Sequence, residues 1–150
     1  FVARLNEHAG TDLTDEQINE AIMLFLKGVP QYKFDYLEQL RKKYKIYILS
    51  NTNPYIMAYA HSPHFLPATR RTLSDYVDKV YASCEMQTMK PDRAIYEQMI
   101  ADSGMVPERT LFIDDSTANL EAAAALGLQT LLAVNGSDWR PALEARLQHD

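Results

Sequence analysis

Residues 111–127 read LFIDDSTANLEAAAALG. The opening is a short apolar run of the kind that makes a buried strand, and it stops at two neighbouring carboxylates, Asp114 and Asp115. An alanine-rich helical pattern starts at once, with Ser116 in the capping position and Gly127 at the close. A strand that feeds directly into a helix is the repeating unit of an α/β fold. Adjacent acids repel each other, and the preference of acids for a helix N-terminus accounts for one of them, not for two. A hard cation such as Mg²⁺ takes oxygen ligands, keeps several waters and removes the repulsion. Asn119 lies four residues after Asp115 and adds no charge. That spacing puts it on the same helical face, as a candidate to orient Asp115 or a metal-bound water.

The same alternation continues outward in both directions. KIYILSN (residues 45–51) is a β-branched apolar run ending in small polar groups, and Asn53-Pro54 then supplies a cap and a first-turn proline for another helix. YVDKVYAS (76–83) is a second strand candidate. KPDRAIYEQMIADSG (90–104) is a helix with Ile95, Met99 and Ile100 on one side and Gly104 as its stop. LQTLLAV (128–134) is a further strand, and residues 138–147 form a last helix. The expected fold class is α/β: a Rossmann-like parallel sheet with helices on both faces, whose strands are apolar because both faces are covered.

Upstream of residue 45 no strand is expected. A helix over residues 14–26 begins at a Thr14/Gln17 capping box, carries Ile18, Ile22, Phe25 and Leu26 as its stripe, and stops at Gly28 and Pro30. The next helix, about 32–44, turns Phe34, Leu37 and Leu40 inward and gathers Arg41, Lys42 and Lys43 at its C-terminus, where the dipole favours cations. The domain reading is a partial helical cap over 1–31 and an α/β core over 32–150. Phe1, Val2 and Leu5 already follow helical spacing and the chain does not begin with Met, so an upstream portion is expected.

Composition narrows the function classes. The 150 residues carry 15 Lys and Arg against 20 Asp and Glu, a formal net charge of −5, and no basic block that would suit nucleic acid. No apolar run approaches the roughly 20 residues of a membrane helix. A single cysteine, Cys84, makes no internal disulfide and fits a reducing, cytoplasmic setting. Cys84 has no evident His or Asp partner for nucleophilic work. His61 and His64 have H-x-x-H spacing without an accompanying Cys or Glu, which suits exposed loop histidines better than a metal site. Met86 and Met89 are expected to pack. Oligomeric state is not legible.

In open parallel sheets ligands bind beyond the carboxyl ends of the strands. Ser50 and Asn51 stand at one such end, Asp114 and Asp115 at another, and Lys90, ahead of Pro91 and a helix, lies between them in sequence. A hydroxyl and a backbone N–H suit phosphoryl oxygens, a lysine supplies positive charge, and paired acids suit Mg²⁺. Taken singly, each has a plain structural reading: Ser50-Asn51 as a strand end, Lys90 as a solvated lysine, the acids as helix caps, Asn119 as a surface residue.

Together, IYILSNTN at Ser50, MKPDRAIY at Lys90 and LFIDDSTANLEAAAALG at Asp114 and Asp115 resemble, in order and spacing, the second, third and fourth motifs of the haloacid dehalogenase (HAD) superfamily. The wording is most similar to the helical-cap subgroup that includes sugar-phosphate phosphatases of the bacterial glucose-1-phosphatase type. The resemblance implies a Mg²⁺-dependent phosphomonoester hydrolase that forms an aspartyl-phosphate on a small phosphorylated metabolite. The implied catalytic set is Ser50, Asn51, Lys90, Asp114 and Asp115. Ser50, Asn51 and Lys90 would meet the phosphate, Asp115 and then Asp114 would meet the metal, and Asn119 would support them. The first motif, a strand ending in D-x-D or D-x-G with the nucleophile, has no match, so this stretch alone is expected to turn over little or nothing, leaving a gap in the sheet. A metal-free C–halogen hydrolase and a non-catalytic binding domain of the same fold are the alternatives. A response-regulator receiver is disfavoured, because there the acids come first and the lysine last.

Overall fold

The computed structural model describes the backbone of residues 2–26, 29–66 and 69–148, and the side chains of these except residues 2, 19 and 22–26. The expected stripe positions Ile22, Phe25 and Leu26, the stop at Gly28, and Phe1 and Val2 of the first helical pattern lie outside the described side chains or residues. The element order is α1 (Val2–Ala9), α2 (Asp15–Leu26), α3 (Gln31–Arg41), β1 (Tyr47–Ser50), α4 (Pro54–Ala60), β2 (Lys79–Ala82), α5 (Ser83–Met86), α6 (Arg93–Ser103), β3 (Leu111–Asp114), α7 (Thr117–Ala124), β4 (Gln129–Leu132) and α8 (Arg140–Leu147). No described helix is long and apolar enough to cross a membrane.

The strands divide into two two-stranded sheets, β1 with β2 and β3 with β4. The second pair is parallel, with Leu111 opposite Gln129 and Asp114 opposite Leu132. Among the described residues, therefore, β3 has a neighbouring strand on one side only.

The chain forms two compact units: residues 1–48 with 52–80, and residues 49–51 with 81–150. Helix α3 belongs with the loop and strand that follow it, because its inward face is part of their core. There Phe34, Leu66, Tyr76 and Val77 are buried together, with Leu37, Ile46, Phe65 and Leu73 packed around them. The rings of Phe34 and Tyr76 stand 5.0 Å apart. Asp78 ties the unit together by accepting from the Ile46 N–H at 2.8 Å and from Lys45 Nζ at 3.3 Å. At the start of α2 the capping box is reciprocal: the Thr14 N–H donates to Gln17 Oε1 at 2.9 Å, and the Gln17 N–H to Thr14 Oγ1 at 3.2 Å.

The second unit holds the stretch that opened the sequence reading. Helix α7 lies against β3 and β4. Tyr96 and Ile95 of α6, Ala82 and Ala123 are sealed from solvent. The Tyr96 and Phe112 rings meet edge to face with centroids 5.6 Å apart. Gly104 closes α6 at φ +66°. Gly127 has φ +87°, and a β-carbon there would meet Pro107 Cβ at 3.6 Å. Met89, expected to pack, is instead 54% exposed. It sits in the irregular segment between α5 and α6.

Candidate active site

The site grows from two strand ends inside the second unit. Residues 49–51 carry Ser50 and Asn51 into it from β1, and β3 ends at Asp114. Asn51 reaches Lys90 and touches its main chain twice: its Oδ1 accepts from the Lys90 N–H at 2.8 Å, and its Nδ2 donates to the Lys90 carbonyl at 2.8 Å. The Lys90–Pro91 peptide is cis, and α6 begins two residues after the proline, with Asp92 as its N-cap. Pro91 thus precedes the cap and does not occupy the first helical position.

From that fixed backbone the lysine stem runs inward. Lys90 Nζ donates to Asp114 Oδ2 at 2.6 Å, with the two side chains only 11% and 6% exposed. The other oxygen of Asp114 accepts from the Ser116 N–H and from Asn119 Nδ2, both at 2.9 Å. Asn119 therefore supports Asp114, where the spacing pointed to Asp115. The reason is local: Ser116 caps α7 by accepting from the Asn119 N–H, and the first helical turn carries the amide back over the strand end. Tyr96, which the sequence reading did not single out, completes the network by donating from its hydroxyl to the Asn119 carbonyl at 3.0 Å. An aromatic inside an apolar helical stripe gave no signal of that role.

The electrostatics follow from the geometry. Burial alone would raise the Asp114 carboxyl, but the hydrogen bonds from Lys90, Asn119 and the Ser116 N–H, with the lysine's charge, hold it below its ordinary value of 3.8. Tyr96 is pushed up to about 12 by burial and by the Asp114 charge. Asp114 is thus a charged, paired and fully engaged group.

Two of the sequence candidates remain uncommitted. Ser50 is half-buried and Asp115 exposed, and neither side chain has a hydrogen bond or ion pair with the described residues. Their donor and acceptor capacity is not used by the described residues. No group of three or more His, Cys, Asp or Glu able to hold a metal occurs among the described residues. Of the two site carboxylates, Asp114 is engaged and Asp115 has no hydrogen bond or ion pair among the described residues. That set fits a cation such as Mg²⁺, which uses one or two carboxylates and completes its shell with water and substrate oxygens. His61 and His64 are both exposed in the other unit; His61 Nδ1 lies 2.8 Å from Ser74 Oγ. Cys84 is half-buried and free.

A parallel β–α unit whose strand ends in a buried carboxylate paired with a lysine places charged groups where open α/β sheets bind their ligands. The chain belongs to the haloacid dehalogenase-like hydrolase family, whose model matches residues 2–127. It is 41% identical over 143 residues to a D-ribitol-5-phosphate phosphatase of Bacteroides thetaiotaomicron, covering 95% of this chain and 69% of that one. Its fold matches the solved structure of a predicted HAD-like family hydrolase from Porphyromonas gingivalis, with TM-score 0.91 and 47% identity over 99% of this chain and 72% of the other. It also matches a wild-type HAD family enzyme of B. thetaiotaomicron solved in complex with magnesium and inorganic phosphate. That likeness has TM-score 0.82 and 37% identity, over 91% of this chain and 69% of that one.

Proposed function

We propose that this chain is part of a Mg²⁺-dependent phosphomonoester hydrolase that works through an aspartyl-phosphate on a small phosphorylated metabolite. The observation that carries the reading is the Lys90–Asp114 pair at 2.6 Å, in the same unit as an uncommitted Ser50 hydroxyl and Asp115 carboxylate. A structural ion pair needs no free hydroxyl or carboxylate in the same unit, whereas a phosphoryl group with its cation would use both. In this reading Ser50 donates to a phosphoryl oxygen. Lys90, locked on one side to Asp114, presents its remaining N–H groups to the anion. Asp115 is the direct metal ligand, and Asp114, its oxygens already engaged, stays in the outer shell. Bound there, Mg²⁺ would supply a Lewis-acid contact to the phosphoryl oxygens. The carboxylate nucleophile that the family resemblance implies has no counterpart among these residues. Residues 1–31 belong to the cap and 32–150 to the core.

The phosphatase named among the relatives makes polyol phosphates the first substrates to try. The full gene product, offered a panel of phosphomonoesters including ribitol 5-phosphate, should release inorganic phosphate with Mg²⁺ and stop on addition of EDTA. Chloride release from chloroacetate that EDTA leaves untouched would overturn the reading in favour of a metal-free dehalogenase.

A further inference from the structure

We infer that Asn51 is a positioning residue for Lys90 and not a ligand of the phosphoryl group. The inference rests on the phosphatase reading for its consequence, and on geometry for its substance. Lys90 lies outside any helix or strand. Among the described residues its main-chain N–H and carbonyl have one hydrogen-bond partner each, and both are the Asn51 side chain, at 2.8 Å. Both bonds are solvent-exposed, so their consequence is the fixed conformation of the Lys90 main chain and not the satisfaction of buried groups. Only a carboxamide does both tasks at once: aspartate lacks the donor, and serine is too short to span two atoms of one residue.

The clamp matters because a lysine amine is a compact charge on a flexible four-carbon stem. Fixing its main chain leaves the side chain only its own rotamers to search, and the one used places Nζ on Asp114 at 2.6 Å. Asn51 follows Ser50 directly, so the same clamp ties the strand end bearing the serine to the lysine. The hydrogen bonds then run without a break from Asn51 through Lys90, Asp114 and Asn119 to Tyr96. Asn51 acts through Lys90; both ends of its amide are already committed.

The test is a double-mutant cycle on the full gene product with Mg²⁺ present, reading affinity for inorganic phosphate. Asn51→Ala should weaken phosphate binding roughly tenfold in the Lys90 protein, and by less than about twofold when Lys90→Ala is already in place. Equal losses in both backgrounds, or none in either, would overturn the inference. Asn51→Gln, which keeps both the donor and the acceptor on a longer stem and adds no charge, guards against misfolding of the alanine variant and should fall between. Hydrogen exchange at the Lys90 amide, read by NMR, is independent of phosphate. It should speed up by about tenfold or more in Asn51→Ala while the β3 amides stay protected. Absence of phosphate binding by the unmutated protein would sink the phosphatase reading alone, and an unchanged Lys90 exchange rate would sink the clamp alone.

Discussion

Replacing Lys90 by Met keeps most of the stem and removes the charge. At 2.6 Å, and with an effective dielectric constant of about 20, the lost attraction is roughly 6 kcal/mol in gross terms. Much of that is offset by the desolvation that both charges undergo on folding. What remains in the variant is a buried carboxylate without its cation but still holding the Asn119 and Ser116 donors. Breaking a buried pair from one side destabilises by about 3–5 kcal/mol, and the two surviving hydrogen bonds argue for the lower end. The assay is urea unfolding followed by the fluorescence of Trp139, the only tryptophan, which belongs to the unit that holds the site. With a slope of about 2 kcal/mol per molar, the midpoint should fall by roughly 1.5 M at neutral pH. The pH dependence supplies a sign. The folded Asp114 carboxyl sits below 3.8, so its contribution is present above that value and is lost as the pH falls through the folded pKa. The gap between the two proteins should therefore be widest at neutral pH and close in acid. A gap under about 0.5 kcal/mol, unchanged with pH, is what an exposed and unimportant pair would give, and it would refute this account.

Asp115→Asn should leave stability within about 0.5 kcal/mol, because the side chain is exposed and unbonded. It should abolish Mg²⁺-dependent phosphate release; unaltered activity and Mg²⁺ affinity would show the ligand assignment to be wrong. Asn119→Ala removes one of the donors that depress Asp114, so stability should drop by about 1 kcal/mol and the acid unfolding limb should move to higher pH, read by titration of Trp139 fluorescence. Gly127→Ala places a β-carbon at φ +87° close to Pro107; the expected loss is about 1–2 kcal/mol in thermal unfolding, with phosphate affinity unchanged.

What the chain's sequence determined on its own was local. The alternation of apolar runs and helical patterns marked β1 to β4 and, α5 apart, the helices between and after them, since strand period, cap and stop are all written within a dozen residues. Thr14 with Gln17, Asn53 with Pro54, Ser116 and Gly104 are capping decisions of that kind, and each is made in the structure by the groups expected. Ser50, Asn51, Asp114 and Asp115 were legible because polar groups at the ends of apolar strands have few structural excuses; Lys90 was legible from its place ahead of a proline and a helix, and Asn119 from its place one helical turn after the acids. Which of them touch was decided only by tertiary structure. Sequence spacing offered Asn119 to Asp115, yet the fold turned the amide to Asp114; the family resemblance offered Asn51 to the phosphate, yet both ends of its amide bond the Lys90 main chain. It also set α3 in the same core as Leu66 and Tyr76. These outcomes depend on where residues far apart in the chain are brought together, and a hydrogen bond is decided within a few tenths of an ångström, far finer than periodicity resolves.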